Sequence, residues 1–161
     1  MNWTEYYIRH QYLASQKSKD PSTKIGAVLV RDNNIISIGY NGFPRGVKDT
    51  EERLNNREDK YFYITHAEHN SILSAARNGI ATKGSALYTS GMPCNECAKA
   101  IIQAGINTVV LHEQYPTLSH GKWSKSVSKA EEMFAEAGVT ILLLNKELGI
   151  KCLINGEEVA V

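Results

Sequence analysis

The sequence predicts an α/β sandwich on three observations. From residue 66 onward, runs with helical periodicity alternate with short apolar or β-branched runs. Upstream, two apolar runs at 25–30 and 35–40 flank the polar stretch Arg31-Asp32-Asn33-Asn34, the pattern of an antiparallel hairpin. Gly79, Gly105 and Gly138 fall where three of the helices should stop. A chain of 161 residues with 42% hydrophobic content can bury about 70% of its unfolded surface without disulfide staples, so a single domain over 1–161 is expected.

Taken in order, Trp3, Tyr6, Tyr7, His10, Leu13 and Ala14 recur at helical spacing and predict a first helix, capped by Thr4 and ending before Asp20-Pro21. The hairpin follows, and Gly42, Pro44 and Gly46 break its second strand. Residues 48–61 are rich in charge and asparagine. They read either as an exposed excursion carrying a short helix or as a solvated loop. The pattern then gives a helix over 66–78, a strand over 86–89, a helix over 94–104 and a strand over 108–111. A further helix over 125–137, with Val127, Ala130, Phe134 and Ala137 on one face, precedes a strand over 139–144. Asn155-Gly156 between two apolar segments predicts a small hairpin in the tail.

Composition narrows the class of partner. With 18 basic against 17 acidic residues the net charge is +1, which gives no large positive field for a long nucleic acid and favours a small substrate. Three cysteines make no disulfide framework, and Met1-Asn2-Trp3-Thr4-Glu5 lacks a basic-then-apolar leader pattern. No apolar run approaches the roughly 18 residues of a membrane span. The expectation is a soluble, intracellular, cytoplasmic protein with no membrane partner. Cys152 reads as a small core residue.

The chemistry lies in His66-Ala67-Glu68 and Pro93-Cys94-Asn95-Glu96-Cys97. One histidine and two cysteines make a zinc site with three protein ligands and one open position, where a water's pKa falls to about 7. Glu68, two residues after the ligating His66, can sit beside that position without being a ligand and move protons. Cys94, just after Pro93 at the start of a helix, gains from the helix dipole as a thiolate. Taken singly, the C-x-x-C could be a redox pair or half of a structural zinc knuckle, and HAE any helical segment. His69, three residues after His66, is the rival for a fourth ligand that would close the site. The two pieces together match the H-x-E…P-C-x-x-C pattern of zinc deaminases.

Several further blocks carry a closer resemblance: Ser18-Lys19-Asp20-Pro21, Lys24-Ile25-Gly26-Ala27-Val28, the glycine-rich run from Gly39 to Gly46, His66-Ala67-Glu68-His69-Asn70, and Pro93 through Gly105. With them the chain resembles the deoxycytidylate deaminases, a branch of the cytidine deaminase superfamily. The resemblance covers most of residues 1–145. It implies a three-layer α/β/α sandwich around a central mixed sheet of about five strands, one catalytic Zn2+ per chain, and hydrolysis of dCMP to dUMP, which supplies thymidylate synthesis. It also implies that Asn41 meets the sugar and the backbone at Ala67 meets the pyrimidine carbonyl, with Lys19, Ser22, Thr23, Lys24 and Tyr115 as candidates for phosphate and ring contacts. Regulation is implied as well: a homohexamer activated by dCTP with Mg2+ and inhibited by dTTP, its effector region around Tyr40, Gly42, Arg45 and Gly46. Whether Arg45 would meet a substrate or an effector phosphate is open on this reading. The other readings are a tRNA adenosine or other nucleobase or nucleoside deaminase of the same superfamily, and a non-catalytic zinc-binding interaction protein.

Overall fold

The structure is a computed structural model that describes residues 1–116 and 123–161. Its centre is a five-stranded mixed sheet in the order β2-β1-β3-β4-β5. β1 (Gly26–Arg31) pairs antiparallel with β2 (Asn34–Tyr40) and with β3 (Ala86–Thr89). β3, β4 (Thr108–His112) and β5 (Thr140–Leu144) run parallel, joined by the crossover helices α5 (Asn95–Gln103) and α6 (Ser124–Ala137). Because β1 is antiparallel to both neighbours, the C-terminal ends of β2, β3, β4 and β5 lie on one edge of the sheet, together with the start of β1.

Alternation along β1 sorts the two faces. Ala27 and Leu29 point into a core with Ala75 of α4 (Ala67–Arg77), Ile101 of α5 and Phe134 of α6. Val28 and Val30 point the other way, against Tyr7 of α1 (Trp3–Ser15). On that second face Ile8 and Tyr12 also meet Val110, Leu144, Cys152 and Ile154, so α1 and the tail share one apolar cluster. This is the three-layer sandwich with a five-stranded mixed sheet. Cys152 is buried in it as expected. No helix among the described residues is long and apolar enough to cross a membrane.

Two local expectations are corrected. The first helix is capped by Asn2, whose Oδ1 accepts from the Glu5 amide at 2.8 Å; Thr4 lies inside the helix. Its buried residues are Glu5, Tyr7, Ile8, Gln11, Tyr12, Ala14 and Ser15, leaving Trp3 and Leu13 more than half exposed. In α6, Val127, Ala130 and Phe134 are buried but Ala137 is exposed, since it lies at the last turn before Gly138 leaves the helix with φ +73. Gly79 and Gly105 end their helices in the same left-handed conformation.

Both tight turns form as expected. Asp32 and Asn33 take positive φ between β1 and β2, and Asn155 and Gly156 do so between β6 (Lys151–Ile154) and β7 (Glu157–Ala160). The 48–61 excursion carries two short helices, α2 (Glu51–Asn55) and α3 (Arg57–Tyr63), started by Thr50 and Asn56 caps.

The helix that carries the site meets the sheet closely at Gly39. A Cβ there would lie 2.2 Å from the Ala67 carbonyl oxygen and 2.3 Å from the Ser71 amide nitrogen, so α4 rests directly on the β2 backbone. Gly39→Ala must therefore displace backbone, and the expected cost is at the upper end of the overpacking range, about 3 kcal/mol. Chemical denaturation of the variant beside the parent chain measures it; a change below about 0.5 kcal/mol would contradict this contact.

Candidate functional site

The start of α4 and the start of α5 converge on the edge of the sheet where β2 and β3 end. His66 is the N-cap residue of α4, in extended conformation. It is held there by a two-residue bridge in which Gly42 and Thr65 exchange backbone hydrogen bonds at 3.1 and 2.8 Å. Asn70 adds a hydrogen bond to the Tyr40 carbonyl at 2.8 Å. Cys94 is the N-cap of α5, and its Sγ accepts from the Cys97 amide at 3.5 Å. Asn95 is fixed from α6, where Ser126 Oγ both accepts from its amide and donates to its Oδ1.

His66 Nδ1 lies 3.4 Å from Cys94 Sγ and 3.5 Å from Cys97 Sγ, and the three donor atoms all lie within 4.8 Å of one another. A tetrahedral zinc with ordinary Zn–N and Zn–S bonds spaces nitrogen and sulfur about 3.6 Å apart, so this donor set fits zinc in spacing as well as in chemistry. Cys97 donates toward Cys94, and with His66 beside it this pulls the Cys94 thiol down to about 4. The same contact pushes Cys97 up. His66 is pushed up to about 9 by the Cys94 sulfur. Metal binding would exchange these shared protons for a cation. His69 is outside the cluster.

Glu68 sits in the first turn of α4 with its Oε2 3.8 Å from Cys97 Sγ, and it is not part of the donor cluster. Burial pushes its carboxyl above the usual range, which makes it a stronger base than an exposed glutamate. Glu68, His66 and Cys94 line one cleft.

Segments at the ends of four strands form part of that cleft's walls. Asn41 follows β2, Gly91 and Met92 follow β3, Tyr115 follows β4, and Ser22, Thr23 and Ile25 precede β1. Tyr115 is 3% exposed, and its hydroxyl has no hydrogen-bond partner among the described residues. Residues 117–122 lie outside the described residues. Asn41 spends both ends of its amide on the neighbouring wall: Oδ1 accepts from the Ile25 amide at 2.9 Å and Nδ2 donates to the Thr23 carbonyl at 2.8 Å.

The structure thus brings Ser22, Thr23, Asn41, Ala67 and Tyr115 to the cleft with Glu68 and the donor cluster. Lys19 and Lys24 are not among its lining residues, and Lys19 pairs with Asp49 at 2.8 Å. Tyr40, Gly42, Arg45 and Gly46 also lie outside the lining. Among the lining residues that the sequence reading did not assign to the site are Asp20, Arg57, Lys60 and Asn155. Arg57 and Lys60 belong to the charge-rich excursion, which resembles any solvated segment. Asn155 sits in the tail hairpin turn, brought near by hydrogen bonds that no local pattern encodes.

Comparison with known proteins agrees with this geometry. The family model described as the cytidine and deoxycytidylate deaminase zinc-binding region matches residues 1–113. A deoxycytidylate deaminase of Mus musculus is 40% identical over 147 residues, covering 87% of this chain and 78% of that protein. An uncharacterized deaminase of Aliivibrio fischeri is 37% identical over 142 residues, covering 88% and 93%. Among solved structures, a dCMP deaminase from the cyanophage S-TIM5 in complex with dCMP and dUMP superimposes with a TM-score of 0.70 at 26% identity, over 87% of this chain and 95% of that one. With a family model matching most of its length and relatives near 40% identity, the chain belongs to the zinc-binding cytidine and deoxycytidylate deaminase family.

Proposed function

We propose that this chain hydrolyses dCMP to dUMP and ammonia at a zinc centre held by His66, Cys94 and Cys97, with Glu68 as the proton carrier. One observation carries the reading: three zinc-type donors lie within 4.8 Å of one another beside a buried carboxylate that is not one of them, and two of the donors line a cleft with it. Zinc in such a site lowers the pKa of a water in its open position to about 7. Glu68, its proton affinity raised by burial, accepts the proton of the attacking water and delivers protons to the ring nitrogen and the leaving amine. Water adds to the ring carbon, the carbon–amine bond breaks, and nitrogen leaves as ammonia. In this reading Ala67 and Tyr115, whose hydroxyl has no partner among the described residues, meet the pyrimidine, and Asn41, Ser22 and Thr23 form the wall on the sugar side; that all five line the cleft supports it.

The choice of a nucleotide over a nucleoside rests on charge. Arg57 and Lys60 are the cationic side chains among the described lining residues, and with Lys60 paired to Asp20 it is Arg57 that is left for the 5′-phosphate of dCMP. Arg57 is exposed at the mouth, so it is the better candidate for direct contact. Within the same reading the chain is one domain over 1–161, the dUMP serves thymidylate synthesis, and a homohexamer responds to dCTP with Mg2+ and to dTTP. The exposed Arg45 and the positive-φ Gly46, outside the cleft, are the effector candidates.

Three outcomes follow for the metal and the acid/base group. Glu68→Gln should retain zinc by metal analysis yet lose at least about 100-fold in turnover, and near-normal turnover would remove Glu68 from its role. Substitution of His66, Cys94 or Cys97 by Ala should lower zinc content. Cys152→Ser, on the far face of the sheet, should leave zinc content unchanged.

For substrate choice, kcat/KM for dCMP should exceed that for deoxycytidine by about 100-fold or more, since a bidentate Arg57–phosphate contact supplies two charge-assisted hydrogen bonds at roughly 1.5–3 kcal/mol each. Arg57→Ala should cut that ratio by at least about tenfold. A panel of dCMP, CMP, deoxycytidine, cytosine and an adenosine stem-loop, with and without dCTP, measures both. Equal values for dCMP and deoxycytidine would overturn the phosphate argument, and turnover of the stem-loop alone would move the chain to the tRNA-editing branch.

A further inference from the structure

Lys60 is the one buried residue of α3, a helix whose other positions are exposed or half-buried. Its Nζ lies 3.0 Å from Asp20 Oδ1, and the residues are 5% and 4% exposed. That carboxylate oxygen has two further donors: the Ser22 amide at 2.8 Å and the Thr23 amide at 3.1 Å. Asp20 is itself held through its amide by Ser18 Oγ, which donates to the Asn41 carbonyl. A single oxygen therefore joins the 48–61 excursion to the wall of the cleft that carries Ser22 and Thr23.

Stability alone does not account for this pair. The desolvation of two buried charges largely cancels their attraction, and an apolar pair of similar volume does as well or better. What an ion pair adds is a fixed geometry, and here the geometry belongs to two backbone amides on a cleft wall. On its other side the same wall is held by Asn41, which grips the Thr23 carbonyl and the Ile25 amide. Removal of the Lys60 charge would leave Asp20 buried without its counter-ion, and the carboxylate would move toward water and release Ser22 and Thr23.

We propose that Lys60 is a positioning residue of the substrate cleft, acting through Asp20 to hold the Ser22–Thr23 wall in its binding conformation. The enzymatic part of the test rests on the dCMP reading above; the structural part does not. The rival role is direct contact between Lys60 and a substrate phosphate, because both Lys60 and Asp20 line the cleft.

The experiment uses the full chain carrying Lys60→Met, Lys60→Gln, Lys60→Arg or Asp20→Ala, each checked for zinc content and assayed well below its unfolding temperature. Amide hydrogen exchange, followed without substrate, should show protection at Ser22 and Thr23 falling about tenfold or more in Lys60→Met, while the Ile25 amide, held by Asn41, changes by less than about threefold. Unchanged protection at Ser22 and Thr23 overturns the proposal whatever the substrate proves to be. In turnover, Lys60→Met and Asp20→Ala should raise KM about tenfold or more for both dCMP and deoxycytidine, with kcat within about threefold and Lys60→Arg recovering most of the loss. A loss confined to dCMP, with deoxycytidine unaffected, also overturns it and makes Lys60 a phosphate contact. If Lys60→Met does not fold, Lys60→Gln gives the same readings without the charge. If the parent chain does not turn over dCMP, the function reading fails and the exchange result alone decides the proposal.

Discussion

The structure depends on bringing two helix N-termini together at one edge of a sheet. His66 and Cys94 are both N-cap residues, so the donor cluster exists only where α4 and α5 begin within a few ångströms of each other. Chain topology makes this possible. With β1 antiparallel to β2 and β3, the segments leaving β2, β3 and β4 all emerge on the same side, the side where open α/β sheets hold ligands. The closeness of α4 to β2 then fixes the depth of the site: with no Cβ at Gly39, the Ala67 carbonyl rests on the strand backbone.

N-terminal placement also shapes the chemistry. At the start of α5 the Cys97 amide donates to the Cys94 sulfur, and a thiolate is the form that both the helix end and a cation favour. Glu68 stands in the opposite situation. It is buried in the first turn of α4, where desolvation outweighs the nearby imidazole and raises its proton affinity. Two acidic groups lining one cleft are thus driven in opposite directions by their surroundings, as the proposed division between a metal ligand and a proton carrier requires.

The elements themselves were legible because their signals are local. Strand alternation, helix-ending glycines and the two tight turns at Asp32-Asn33 and Asn155-Gly156 all act within a few residues. The donor cluster was legible for the same reason, since His66-Ala67-Glu68 and Cys94 to Cys97 each fit within one turn of a helix. The first helix shows the limit. Trp3 and Leu13 look like core residues by type, yet they are exposed, because the buried face must pass close to Gly26, where a Cβ would lie 1.9 Å from the Gln11 carbonyl oxygen. Lys60 shows it more sharply. Its burial depends on Asp20, 40 positions away, and a lysine among glutamates and asparagines carries no mark of that partner.

Residues 22–24 are where the distant parts of the chain meet. The tail hairpin grips them from one direction: Lys24 donates its amide to the Leu153 carbonyl at 3.0 Å, Gly156 donates to the Ser22 carbonyl at 2.7 Å, and Asn155 donates to Thr23 Oγ1 at 3.0 Å. Asn41 grips them from the end of β2, and Asp20 with Lys60 from the excursion. A loop with its amides and carbonyls held from three sides has little freedom left to lose when a ligand arrives. The ordering entropy of that wall is lost during folding instead of at binding. This gives the excursion and the tail hairpin a shared physical role: besides lining the cleft with Arg57, Lys60, Tyr61 and Asn155, they fix the shape of its 22–24 wall.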